Sequence, residues 1–297
     1  MRPERITEVE KSVAEYYELI RPEFARWWAL DKTHGLHFAL YEKGIKNFEE
    51  AVLNMNRFVG KLLGLDNRKS MNILDAGCGV GGTSIYLADK YPNIRFTGIT
   101  VTPGEVELAK RFAEERGLDN VNFMLKSYLN TGFPDNHFDG VFALESSSYA
   151  ENKKDFVHEM YRILKPGGHL VVVDGFFTLF PSNPFLQKIY NAYRKGRGIP
   201  KSPPLILKDF KSYLEVEGFK NIRVIDLSKK VALSQVRSFF ISIPFFISYL
   251  LKKIIGLRRY EPTRDVHYLI GVSVLGALIG LSKTAGYYAV VAIKEKI

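Results

Sequence analysis

Hydrophobic positions in the first seventy residues recur at helical spacing. Ile6, Val9, Val13, Tyr16, Tyr17 and Ile20 fall three or four apart, which puts them on one helix face. A helix is therefore expected over residues 5–30, interrupted at Arg21-Pro22, with Phe24, Trp27 and Trp28 beyond the break. His34-Gly35-Leu36-His37-Phe38 reads as a loop, and residues 42–65 as a second helix. This stretch is rich in aromatics and carries no strand pattern, so residues 1–68 predict a helical cap.

The pattern changes at Asn72. Short apolar runs, each long enough for one strand, now alternate with helix-like segments: Ile73–Asp75, Ile94–Ile99, Val121–Leu125, Gly140–Leu144 and Leu170–Asp174. The intervening helices start near Val80, Pro103 and Lys153. Such alternation implies an α/β fold with a doubly wound, mostly parallel sheet, whose ligands sit at the carboxyl ends of the strands. Residues 176–204 are basic and rich in Gly, Pro and aromatics and read as an irregular excursion. Leu207–Glu217 reads as a helix, Asn221–Leu227 as a sixth strand and Tyr287–Val291 as a seventh. Residues 69–297 thus form one domain, with 229–284 inserted before the last strand. The insertion holds two apolar runs, Phe239–Leu251 and Leu269–Leu281, each shorter than the roughly 20 residues that cross a bilayer.

Charge sharpens this picture. The 297 residues carry a net +10, unevenly spread. Residues 1–175 hold 22 Lys/Arg against 25 Asp/Glu, whereas residues 176–264 hold 17 against 5. A localised basic surface predicts an anionic partner, with a solvated lysine-rich face as the plainer alternative. The single cysteine, Cys78, excludes an intrachain disulfide and suits a reducing compartment. The first residues lack the apolar core of a signal peptide, so a cytoplasmic chain is expected, with peripheral membrane association a further expectation from the basic segment. Composition is otherwise that of a globular protein, 46% hydrophobic and 25% charged.

The chemistry concentrates at Asn72-Ile73-Leu74-Asp75-Ala76-Gly77-Cys78-Gly79-Val80-Gly81-Gly82-Thr83. An apolar run ends in an acid, three glycines alternate, and a helix begins: strand, tight turn, helix, the entry to a nucleotide site. Glycines there permit unusual φ values or let the backbone approach a ligand. Asp75 ahead of the first glycine resembles motif I of the S-adenosyl-L-methionine (SAM) dependent methyltransferases, D/E-x-G-x-G-x-G; dinucleotide folds begin directly with glycine. Gly98-Ile99-Thr100-Val101-Thr102-Pro103-Gly104-Glu105, Phe142-Ala143-Leu144-Glu145-Ser146 and Arg162-Ile163-Leu164-Lys165-Pro166-Gly167-Gly168 also resemble class I blocks. Among class I enzymes the chain is most similar to the branch of sterol, γ-tocopherol and cyclopropane-type mycolic acid methyltransferases. The resemblance runs from about Val13 to Asp174 and implies a Rossmann-like, seven-stranded class I methyltransferase fold with SAM as cofactor.

Residue by residue, the resemblance implies that Gly77, Gly79 and Gly81 let the backbone approach the methionine part of SAM while Asp75 orients that loop or the amino group. Thr100 and Glu105 stand where the branch uses threonine and glutamine on the ribose; Glu105 alternatively reads as a first-turn helix acid. Ser127, then Tyr128, occupies the place of the usual adenine-binding aspartate. Tyr16-Tyr17-Glu18 matches a Tyr-Tyr-Asp-like block, so Tyr17 is expected over the cofactor, where an aromatic face favours a sulfonium; core packing is its other reading. Glu145 matches the glutamate that in sterol methyltransferases lies near a carbocation, preorganised electrostatic stabilisation. Tyr149 replaces a histidine common four residues on, and His37-Phe38 matches a His-Phe pair that makes His37 a base candidate. His34 is another.

These residues imply methyl transfer, at carbon first, to a hydrophobic isoprenoid-, sterol- or lipid-like acceptor. The rivals are N- or O-methylation of an aromatic natural product, a nucleic-acid methyltransferase suggested only by the basic segment, and a non-catalytic SAM- or lipid-binding protein. The long apolar runs in the basic segment do not suit an RNA groove. Ser202-Pro203-Pro204-Leu205 lacks the aromatic of the amino-methyltransferase motif, and no Cys/His/Asp cluster points to a metal. Residues 229–264 allow either an element lying on an anionic membrane, with Phe239, Phe240, Phe245 and Phe246 inserted beside Lys252, Lys253, Arg258 and Arg259, or a lid over the site.

Overall fold

In a computed structural model, residues 6–28, 30–254, 266–281 and 284–296 are described. Three helices come first: α1 (Glu8–Trp27), α2 (Leu30–Thr33) and α3 (Phe48–Leu62). Then follow β1 (Met71–Ala76), α4 (Gly82–Lys90), β2 (Ile94–Thr100), α5 (Pro103–Glu115), β3 (Val121–Leu125), β4 (Phe138–Leu144) and a 3-10 turn at Ser147–Tyr149. The remainder is α6 (Lys153–Ile163), β5 (Leu164–Phe177), α7 (Pro184–Gly196), α8 (Leu207–Glu217), β6 (Phe219–Asp226), α9 (Ser228–Ile254), α10 (Val266–Gly271), α11 (Ser273–Leu281) and β7 (Ala285–Lys294). All seven expected strands form.

The strands make one sheet in the order β3-β2-β1-β4-β5-β7-β6. The first five run parallel, and β7 pairs antiparallel with both β5 and β6. Adjacent residues of each central strand point into different cores, which is why the strands read as continuous apolar runs. Leu74, Val141, Leu170 and Val172 meet Phe156, Met160, Phe210 and Leu214 on the α6–α8 side. Ile73, Phe142, Val171 and Val173 meet Met55 and Val59 of α3 and Leu87 of α4 on the other. Strand β6 buries only Phe219 and carries Lys220 and Arg223 exposed, the charged edge that discourages pairing with another sheet. Sequence order reverses between β1 and β4, so a crevice opens at their carboxyl ends.

Four elements depart from expectation. Helix α1 continues through Pro22 to Trp27. The proline removes one ladder bond, at about 3 kcal/mol, but Tyr16 and Ile20 pack on Tyr268, Leu269 and Val272 and hold the helix. Helix α3 starts at Phe48, not Glu42, because the Asn47 side chain caps it by accepting from Glu50 N at 2.8 Å. The expected irregular excursion contains α7, capped by Asn183 with Pro184 in the first turn. The run Phe239–Leu251 lies inside the 27-residue α9, whose stretch Ser228–Lys252 is long and apolar enough to cross a membrane by length and composition. Its own length therefore underestimated the helix it belongs to. Arg258 and Arg259 lie outside the described residues.

Candidate functional site

At the carboxyl ends of β1 and β4 lies a cleft of about 880 Å³, counting the solvent at its mouth. The loop after β1 forms its floor. Gly77 N and Cys78 N both donate to Ile99 O at 2.9 Å, which pins the loop to the end of β2. Gly79 adopts φ +51°, and a Cβ there would stand 3.1 Å from Leu36 Cδ1 and 3.8 Å from Glu105 Oε1. It is a bare backbone position between roof and floor. Gly77 also lines the cleft, but Gly81 does not. A Cβ on Gly81 would come within 2.5 Å of the Phe123 ring, so this glycine serves the packing of α4. Gly82, which no motif singled out, lies where a Cβ would stand 2.1 Å from His34 O, so the roof loop rests directly on α4.

Two buried carboxyls stand beside this loop. Asp75 Oδ2 accepts from Ser84 Oγ at 2.7 Å, and burial pushes the carboxyl up to about 7. Glu105 Oε2 accepts from Thr100 Oγ1 at 2.7 Å, and burial likewise raises Glu105 to about 7 against that hydrogen bond. Glu105 is thus both a first-turn acid of α5 and part of the cleft wall. The roof is tied to the same helix: Glu18 Oε1 accepts from Gly104 N at 2.8 Å, and its other oxygen pairs with Arg21.

Tyr17 and Tyr149 face each other across the roof with ring centroids 5.6 Å apart, and both line the cleft. Tyr149 Oη donates to Arg197 O at 3.1 Å. Burial raises both phenols, so both stay protonated. Tyr128 lines the cleft and donates to Ser146 O at 3.0 Å. Ser127 does not line it: its hydroxyl donates to the Glu10 carboxylate and accepts from Leu129 N. Glu10 takes that place on the wall. Its position was legible in Thr7-Glu8-Val9-Glu10, a capping box in which Thr7 N donates to Glu10 Oε2 at 2.8 Å and Glu10 N to Thr7 Oγ1 at 3.2 Å.

Glu145 follows β4 with φ +53°, a left-handed conformation that costs a non-glycine residue about 1–3 kcal/mol unless its surroundings impose it. Here they do. Glu145 N donates to Val173 O at 2.7 Å, and Oε1 accepts from Phe38 N at 2.6 Å and Tyr287 Oη at 2.7 Å. Both donors hold one oxygen; among the described residues the other makes no hydrogen bond. The residue is half-buried, its carboxyl inside the protein envelope with one side open to the cleft. Desolvation outweighs the two donors and raises the carboxyl to about 7.

His37 also lines the cleft, fully engaged. Nδ1 lies 3.1 Å from Phe38 O and Nε2 2.9 Å from Asn56 Oδ1. A neutral imidazole has one N–H and cannot serve two acceptors. Asn56 Oδ1 also accepts from Thr83 Oγ1 at 2.8 Å, which fixes that amide oxygen as the acceptor facing Nε2. Burial lowers the His37 pKa, consistent with that neutral form. His37, anchored through Nε2, directly precedes Phe38, the donor to Glu145. His34 lies on the same wall, stacked on Phe112 at 4.0 Å.

The residues present fit the expected cofactor. The Gly79 cradle would be filled by any Cβ, and Glu105 beside it offers two oxygens where hydroxyls need an acceptor.

The family model described as "Methyltransferase domain" matches residues 73–168. The chain is 30% identical over 200 residues to a sterol 24-C-methyltransferase of Yarrowia lipolytica, covering 66% of this chain and 50% of that protein. It is 39% identical over 107 residues to a probable chloroplastic tocopherol O-methyltransferase of Oryza sativa subsp. japonica, covering 36% of this chain and 29% of that one. The chain spans about half the length of the sterol enzymes it matches. Among solved structures, the cyclopropane synthase MmaA2 from Mycobacterium tuberculosis superposes with TM-score 0.78 at 17% identity, over 97% of this chain and 99% of that one. At that identity the likeness concerns the fold.

Proposed function

From the premise that the chain carries a class I SAM-dependent methyltransferase domain, we propose that it methylates a hydrophobic acceptor, isoprenoid-, sterol- or lipid-like, at carbon. The observation that carries this reading is the Glu145 carboxyl, fixed by Phe38 N–H and Tyr287 Oη with one side open to the cleft. SAM, when bound, supplies an electrophilic methyl on a sulfonium and leaves as S-adenosyl-L-homocysteine. Gly77 and Gly79 would give its methionine part backbone to lie against, and Thr100 and Glu105 would accept from its ribose. Tyr17 covers the cleft from the roof. An alkene acceptor that gains a methyl through its π electrons becomes a cation. Ionised Glu145 stabilises that charge and then takes the proton whose loss restores the alkene. Leu36 and Leu144 give this end of the cleft its apolar wall.

A second reading, O-methylation of a phenol, draws on the same carboxyl. A group poised at about 7 is well matched to a general base, and one relative is named a tocopherol O-methyltransferase. Incubating the protein with methyl-labelled SAM and a total lipid extract tests both. Label on a carbon of an apolar product supports the first reading, and an acid-stable methyl ether supports the second. Label confined to polar N-methylated compounds would refute both.

A further inference from the structure

Among the described residues, helix α9 carries an apolar face that no other element covers. Leu233, Val236, Phe240, Ile247, Leu251 and Ile254 are 60, 50, 65, 51, 53 and 79% exposed. Their spacings of three, four, seven, four and three keep them within an arc of about 60° and a length of about 32 Å. The opposite face is committed to the fold. Val231, Ser234 and Ser242 are buried, Phe245 stands edge-on to Trp27 at 6.2 Å, and α10 packs so closely that a Cβ on Gly271 would lie 2.6 Å from Phe246 N. A contiguous apolar face of this extent marks an interaction site.

Charge selects the occupant. No charged residue falls between Arg237 and Lys252, while residues 228–264 hold eight Lys/Arg against one acid, Glu261. An apolar band bracketed by cations is the pattern of a helix lying in the boundary of an anionic bilayer. Two copies packed face to face would instead oppose two segments of net +7. We propose that α9 docks this protein on an anionic lipid surface, with Phe240 and Ile247 at the centre of the inserted face. The other apolar residues extend the contact, and the segment's net positive charge draws it to anionic headgroups.

Docking reaches the site through short connections. Among the described residues α9 lines no part of the cleft, but Ala39 N donates to Ser234 Oγ at 3.0 Å and Tyr41 N to Lys230 O at 2.9 Å. Ala39 adjoins Phe38, the donor to Glu145. The helix is thus a buttress of the roof, not a lid, and docking holds the roof against the surface where an apolar acceptor dissolves. That purpose rests on the proposed function; the docking itself does not.

The test is flotation with vesicles of phosphatidylcholine, alone or mixed with phosphatidylglycerol, at low and high salt. The protein should float with the anionic vesicles only, and less at high salt. Phe240→Asp with Ile247→Asp should lower partitioning by about tenfold or more while leaving SAM affinity by calorimetry and the melting temperature unchanged. As a measurement independent of that variant, Phe240→Trp should blue-shift its emission on adding anionic vesicles. No flotation, or equal flotation of wild type and the double variant, overturns the proposal. So does a wild-type dimer that the double variant converts to monomer without any vesicle binding. Flotation without a labelled lipid product would overturn the acceptor reading alone; a labelled lipid product without flotation would overturn docking alone.

Discussion

Replacing Glu145 by glutamine separates carbon from oxygen methylation. The amide oxygen can still accept from Phe38 N and Tyr287 Oη, which both bond Oε1, so shape and orientation survive and only the charge is lost. A unit charge about 4 Å from a developing cation contributes about 4 kcal/mol at an effective dielectric of 20. Removing one preorganised stabiliser costs about 10²–10³ in turnover, or roughly 2.7–4 kcal/mol. SAM affinity should change much less, because the charge acts on the transition state. With Glu145 raised to about 7 by burial, wild-type kcat should climb as pH passes through that value and then level off. The variant should be slow and flat throughout. Stopped-time assays with the identified acceptor, across pH, give both profiles. If the variant recovers wild-type turnover at high pH, where a phenol ionises unaided at about 10, the carboxylate was a base and the cation reading is refuted.

Tyr287→Phe removes a donor that favours ionised Glu145, so the rising limb of the kcat profile should move to higher pH with SAM affinity unchanged; an unmoved limb refutes that coupling. Gly79→Leu should abolish SAM binding in calorimetry while destabilising by only about 1–2 kcal/mol, the cost of its left-handed φ, because Gly79 faces the cleft. Gly81→Ala should instead destabilise by about 2–4 kcal/mol in denaturant titrations, from its left-handed φ and the overlap with Phe123. Asp75, Glu105 and Glu145 all rise from ordinary carboxyl values to about 7. Their contribution to stability is complete below about pH 4 and is lost as pH climbs through about 7. Thermal melts of the SAM-free protein should show Glu105→Gln flattening that decline, and an unchanged slope would refute it.

What the sequence revealed and what it hid follow from the range of the forces involved. The seven strands were legible because each is a short apolar run bounded by local turn chemistry, and the motif I loop because its glycines and Asp75 are adjacent in the chain. Glu145 could be singled out, but not its orientation: its two donors lie 107 residues before it and 142 after it, and no local pattern encodes that. The packing partners of Ser127 and Gly81 were hidden for a related reason. Whether a hydroxyl faces the cleft or Glu10, and whether a missing Cβ makes room for a ligand or for Phe123, is decided by the packing partner. Helix α9 is the sharpest case. Its serines and Pro244 fragment the apolar run and suggest a stop. In the fold, Ser242 Oγ bonds back to Ser238 O at 2.8 Å, and Pro244 sits on the exposed side, so its ring does not collide with a packed element. The helix therefore persists through residues that would end it in isolation. Tertiary contacts on its inner face decide its length, and that length brings the exposed apolar positions into register.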